Sequence, residues 1–207
     1  MFQLEDFTTG VGYLRAEVFS FTLPLMVTIA AVLWGSDAVA GEEDRRTLDL
    51  LLSHPVSRRR VVLDKWLATL AAVVAVCLAA GIALTVGVPA AGLDVAMGDL
   101  WAAVGSLAVL GGVFASLSLA IGAATGRRGL ARGASLVLAV AAYLVSSLAG
   151  LVPWLGTIRP LSPWYHALGV DPVATGWHPW RLLALCGLAV VLTASGAVGF
   201  DRRDLMA

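Results

Sequence analysis

Lys65 is the single lysine beside thirteen arginines in this chain of 207 residues, which makes it the first candidate for phosphate chemistry. A P-loop needs Gly-x-x-x-x-Gly-Lys-Ser/Thr, so that backbone N–H groups and the lysine together hold phosphates. Lys65 follows Asp64, precedes Trp66 and has no glycine-rich turn before it, so this chain cannot hydrolyse ATP by that route. His166 and His178 lack the Glu-x-x-His or similar spacing of a metal site. Ser106 follows Gly105 but sits in no Gly-x-Ser-x-Gly elbow and has no histidine in the neighbouring apolar runs, which argues against intramembrane hydrolysis. Cys77 and Cys186 fall inside apolar runs with no disulfide framework or metal-ligand pattern around them, and they read as small core residues.

The charged residues gather instead in one stretch. Gly41 to Lys65, reading GEEDRRTLDLLLSHPVSRRRVVLDK, holds eleven of the twenty-eight Asp, Glu, Lys and Arg residues and lies between two long apolar runs. Each charge at the centre of a bilayer costs on the order of 2.5–3.5 kcal/mol on insertion scales, so this stretch belongs in water. As a helix, Glu42 to His54 places Leu48, Leu51 and Leu52 on one face and Glu42, Arg46 and Asp49 on the other, with Leu50 breaking the pattern. Glu42 and Arg46 form an i,i+4 pair in the favourable order. Pro55 ends this helix, and Ser57 can cap a second one that begins with Arg58 and continues into the next apolar run. Arg58, Arg59 and Arg60 in that first turn oppose the helix dipole, so something other than helix stability keeps them. They either hold the span to the cytoplasmic face and to anionic headgroups or also help to dock a cytoplasmic partner.

The elements that position this stretch are membrane spans. The chain is 59% hydrophobic and 14% charged, where a soluble domain carries about 25% charge. Runs long enough to cross about 30 Å of hydrocarbon cover residues 18–40, 66–88, 100–124, 130–152 and 182–200. Ala38-Val39-Ala40 resembles a signal-peptidase site, but the acidic leader and long apolar core mark a retained span. The spans carry almost no charge away from their ends; Asp37 and Arg132 each lie within about a turn of one and read as interfacial, whereas ion-coupled carriers place such groups in mid-membrane. Six basic residues in 41–65, Arg127, Arg128 and Arg132 in the short turn, and Arg202 and Arg203 in the tail put those segments and the C-terminus in the cytoplasm by the positive-inside rule. Five spans then leave the N-terminus outside. No tail is basic enough to suggest nucleic acid as a partner.

The external stretch 153–180 contains Trp154, Trp164, Tyr165, Trp177 and Trp180 with five prolines. It reads as short helices dipping into the outer leaflet, either an aromatic belt anchoring two spans or a gate. Ser118, Gly122 and Gly126 recur every four positions, a spacing that lets helices approach closely in lipid and predicts a tightly packed bundle or dimer.

The runs Ala40-Gly41-Glu42-Glu43, Thr47-Leu48-Asp49-Leu50-Leu51-Leu52-Ser53 and Pro55-Val56-Ser57-Arg58-Arg59 resemble the signature of permease subunits of the type-2 export class of ABC transporters. Leu161-Ser162-Pro163-Trp164-Tyr165 with Asp171-Pro172 is similar to that family's last external loop, and Phe200-Asp201-Arg202-Arg203-Asp204-Leu205 to its usual ending. The resemblance implies an all-α polytopic helix bundle in the inner (plasma) membrane that works as a dimer with a second permease copy or a related permease. It further implies that Glu42 to Ser53 is a coupling helix seated in a cleft of a separate ATP-binding subunit, with Glu42, Glu43, Thr47, Leu48, Leu51, Leu52, Ser53, Pro55, Arg58 and Arg59 at the contact. ATP and Mg would then be bound by the partner ATPase and no cofactor by this chain.

Two departures stand out. Arg46 occupies a position where the family often has glycine, which should make the helix more continuous. The family has six spans and a cytoplasmic N-terminus, whereas five are visible here, and the residues before Phe19 look like the end of the external loop after a missing first span. Met1 then reads as an internal methionine chosen as the start, or the first span is supplied by another chain. A competing reading is a non-transport scaffold whose amphipathic helix rests on lipid or recruits a partner protein.

Overall fold

Apolar runs of this length can satisfy their backbone polar groups in lipid only as helices or closed barrels. In the computed structural model of the protein, which describes residues 10–45 and 57–203, every regular element is helical. The elements are α1 (Gly10–Ala38), α2 (Ala40–Asp44), α3 (Arg58–Ala90), α4 (Met97–Thr125), α5 (Arg128–Leu148), the short α6 (Pro153–Ile158), α7 (Pro163–Leu168) and α8 (Pro172–Thr175), and α9 (Pro179–Asp201). Five of them, α1, α3, α4, α5 and α9, are long and apolar enough to cross a membrane. The fold is an all-α polytopic membrane bundle.

The helices do not end where hydropathy does, because caps and breakers rather than polarity stop a helix. The Ser57 hydroxyl accepts from the Arg60 amide at 3.4 Å, so α3 starts at Arg58 and runs two turns through charged sequence before Trp66. Gly126, at φ 65°, closes α4, and α5 stops at Leu148, short of Pro153. α1 is helical from the first described residue, Gly10, ahead of the expected 18, and is π-helical over Leu14–Thr22. Pro24 in the next turn has no N–H to offer the Ser20 carbonyl, and widening the helix before it is one way to accommodate a proline. The Ser20 hydroxyl donates to the Arg15 carbonyl at 2.8 Å inside this stretch.

α4 is the axis of the bundle. Of its apolar window 72% is buried inside the protein, against 17% to 39% for the other four spans. A helix surrounded by others must be apolar all round and small enough for neighbouring backbones to come close. Ala102, Ala103, Gly111, Gly112, Ala115, Ser116 and Ala120 are all buried there. A Cβ at Gly35 of α1 would strike the Ala115 carbonyl, and one at Gly196 of α9 would lie 2.6 Å from Ala120 Cα, so both helices touch α4 backbone to backbone. The Ser118 hydroxyl donates to the Val32 carbonyl across the same seam at 2.9 Å.

The buried apolar residues form three clusters along the bundle. One, around Leu14, Leu100 and Val104, lies towards the aromatic end; one, around Leu110, Phe114 and Trp164, is in the middle; one, around Val39, Val62, Leu119 and Phe200, closes the charged end. The stretch 153–180 forms the short helices α6 to α8, as its composition predicts. Trp164 does not sit in a belt: it is buried against Phe114 and Tyr143, with ring centroids 6.4 and 5.1 Å away. Trp154, Trp177 and Trp180 are exposed.

Candidate functional site at the charged end of the bundle

All described basic residues except Arg15, Arg159 and Arg181 lie at one end, where α1, α3, α4, α5 and α9 converge. Asp37 in the last turn of α1 faces Arg128 and Arg132, which stand one turn apart at the start of α5. Arg132 Nη2 donates to Asp37 Oδ1 at 2.7 Å and Arg128 Nη2 to Oδ2 at 2.9 Å. Arg132 Nε also donates to the Ser36 hydroxyl at 3.1 Å. The three charged side chains are each 32% exposed, between the fully solvated pairs that contribute little and the buried pairs whose loss costs several kcal/mol.

The segment 46–56, between α2 and α3, is fastened on both sides. On its entry side α2 carries Glu42, which accepts from Lys65 Nζ at 2.6 Å, and Glu43, which pairs with Arg203. On its exit side Arg59 pairs with Asp201, and Arg58 Nη1 donates to the Arg203 carbonyl at 2.8 Å and reaches the Phe200 carbonyl at 3.5 Å. The Arg58 guanidinium also stands 5.9 Å from the centroid of the Phe200 ring, which is fully buried. This accounts for cations at the N-terminus of α3. They oppose the dipole of their own helix, but Arg58 lies on the terminal carbonyls of α9, whose negative end attracts it, and Arg59 pairs with Asp201 of the same turn, while Arg60 pairs with Asp64 one turn along α3. Arg203 repeats the arrangement, donating from Nη1 to the Ala123 carbonyl near the end of α4 at 3.1 Å. Gly126, without a side chain, leaves room for that guanidinium: a Cβ there would meet Arg203 Cζ at 2.6 Å.

Of the residues expected to contact an ATP-binding subunit, Glu42, Glu43, Arg58 and Arg59 are described, and all four make polar contacts within this chain. Thr47, Leu48, Leu51, Leu52, Ser53 and Pro55 lie outside the described residues, as does Arg46, the expected partner of Glu42. The stripe Ser118, Gly122 and Gly126 faces inward. Besides the Ser118 bond to α1, a Cβ at Gly122 would sit 3.4 Å from Ala40 and 3.6 Å from Ala131, and Gly126 is the end of α4. This spacing therefore serves packing within one chain. The sequence assigns Lys65, Asp201 and Arg203 no contact role, because nothing in a sequence pairs residues as distant as Glu43 and Arg203; the Phe200 to Leu205 ending is the one available signal.

The opposite end is held by fewer charges. Arg15 Nε donates to Asp171 Oδ2 at 2.8 Å, tying α1 to the start of α8. The guanidinium groups of Arg159 and Arg181 stand 4.7 and 4.9 Å from the centroid of the Tyr165 ring. His166 Nε2 donates to the Pro160 carbonyl at 2.7 Å and His178 Nδ1 to the Gly176 carbonyl at 3.1 Å. Among the described residues no group of three or more His, Cys, Asp or Glu side chains is gathered in a way that could hold a metal ion.

This chain is similar to known proteins along nearly its whole length. The family model described as ABC-2 family transporter protein matches residues 2–205. The protein named Probable ABC transporter permease protein NosY, from Pseudomonas aeruginosa, is 30% identical over 231 aligned residues that cover 95% of this chain and 82% of that protein. With four apolar helices packed around α4 and a charged end that flanks the segment 46–56, the chain belongs to the ABC-2 family of transporter proteins, as a permease-type membrane subunit.

Proposed function

We propose that this chain is the membrane-spanning half of an ATP-driven exporter and that the segment 46–56 docks a separate P-loop ATPase. ATP binding closes a pair of ATPase subunits, the docked segments follow, and two permease copies, identical or related, switch access for their cargo. ATP and Mg belong to the ATPase. The charged end faces the cytoplasm with the C-terminus, in the inner (plasma) membrane; the concentration of arginine at that end supports this orientation.

The observation that carries the docking role is that Glu42, Glu43, Arg58 and Arg59 are engaged inside the chain. They form the mount, and recognition falls to the residues between them, where the sequence supplies the apolar set Leu48, Leu51 and Leu52. Burying one such leucine in a protein cleft contributes roughly 1.5–3 kcal/mol, and an aspartate in its place cannot be accommodated there. The test is affinity purification from mild detergent, with partners identified by mass spectrometry. A P-loop ATPase accompanies the native chain and is lost with Leu51→Asp, while membrane insertion is unchanged. A well-folded native chain that brings no ATPase favours the scaffold reading.

A further inference from the structure

The two stems of the segment 46–56 come from different helices, yet both are tied to one place, the last turn of α9 and its cap. Glu43 on the entry stem pairs with the Arg203 side chain, Arg59 on the exit stem with Asp201, and Arg58 with the Phe200 and Arg203 carbonyls. Phe200 anchors this turn, fully buried in the cluster with Val39, Val62 and Leu119. The entry stem is jointed: α1 and α2 meet at Val39, whose φ and ψ of −119° and −57° depart from helical values, so the contact of Glu43 with Arg203 helps to set where α2 points. From this turn inward the path is stiff. α9 meets α4 through Gly196 and Gly199, where added Cβ atoms would lie 2.6 Å from Ala120 Cα and 2.9 Å from Ala124 Cβ. No flexible side chain lies between the two backbones there to absorb a shift.

We propose that residues 200–203 are the relay that carries movement of the segment 46–56 into the membrane bundle, with Arg203 as the positioning residue that joins the entry stem to α9 and α4. The relay rests on the docking role proposed above and adds the route of transmission. Neither stem can move far without breaking its ties or drawing α9 along, and α9 moves α4. The ending Phe200-Asp201-Arg202-Arg203 thereby acquires a role that its sequence alone does not reveal.

The test uses the full complex with its co-purified ATPase and measures backbone hydrogen exchange by mass spectrometry, without nucleotide and with ATP plus vanadate. In the native complex nucleotide changes exchange in the ATPase, in the end of α9 and in the last turns of α4. Arg203→Gln should keep the ATPase bound and its own nucleotide response intact, while the response in α9 and α4 is lost. Arg203→Lys, which keeps a cation able to reach both Glu43 and the Ala123 carbonyl, should retain it. Asp201→Asn, which cuts the exposed tie to Arg59 and leaves Arg203 in place, should produce a partial loss and serves if Arg203→Gln does not fold. An undiminished response in α4 with Arg203→Gln, or with Asp201→Asn when that variant stands in for it, overturns the relay and leaves the docking role standing. So does a loss that Arg203→Lys shares in full. A native chain that brings no ATPase overturns the docking role, and the relay with it.

Discussion

The position of Asp37 explains why it is charged. It satisfies two arginines of the first turns of α5 and thereby joins α1 to α5 at the charged end. Asp37→Asn leaves both guanidinium groups partly buried with a neutral partner. Because the three side chains keep about a third of their exposure, the cost expected is about 1–3 kcal/mol rather than the full cost of breaking a buried pair. Reversible unfolding in detergent with increasing SDS should read it as a lower midpoint, and an unchanged midpoint would mean that water replaces the pairing at no cost. Gly126 is the second sensitive position. Its φ of 65° is left-handed, so Gly126→Ala carries about 1–2 kcal/mol of backbone strain and also displaces Arg203. The same unfolding assay should show a loss at least as large as the strain alone. The sequence pointed to Asp37 as interfacial and to Gly126 as a packing residue. It could not show that one collects two arginines or that the other makes room for Arg203, because both facts depend on which helices become neighbours.

Helix packing in α9 separates two kinds of glycine that look alike in sequence. A Cβ at Gly196 would press on the backbone of α4, whereas one at Gly187 would have nothing within 4 Å. Gly196→Ala should therefore cost about 1–3 kcal/mol through forced separation of the helices, and Gly187→Ala should be neutral or gain about 0.5–1 kcal/mol from helix propensity. Equal effects in the unfolding assay would contradict the close approach of α9 to α4. The small-residue content of 100–124 made a tightly packed helix legible, and the apolar runs gave the five spans. The partner of the stripe was not legible: spacing tells which face of a helix is small and leaves open whether its neighbour is another helix of the chain or a second copy. The three arginines opening α3 posed a puzzle in sequence for a similar reason. Two of them, Arg58 and Arg59, are compensated by the last turn of α9, far along the chain, where no local rule of helix composition reaches, whereas Arg60 pairs with Asp64 of its own helix.

For the molecule as a whole, charge at one end and aromatic rings at the other define a sided object. In a cysteine-free background, a cysteine at Arg60, whose side chain is 74% exposed, should react with an impermeant maleimide only in inside-out vesicles. One at Leu161, 82% exposed, should react only in right-side-out vesicles; the opposite pattern would reverse the orientation. The family was legible in the motifs flanking and filling the segment 46–56, whereas the mount that holds this segment was not, since Lys65, Asp201 and Arg203 acquire their meaning only once the bundle closes. Contact between this segment and an ATPase is tested most directly by a photo-reactive amino acid at position 51. Irradiation of the co-expressed complex should join this chain to a P-loop ATPase from position 51 and not from the lipid-facing position 183 of α9. No adduct from position 51, or adducts of equal yield from both, would contradict it.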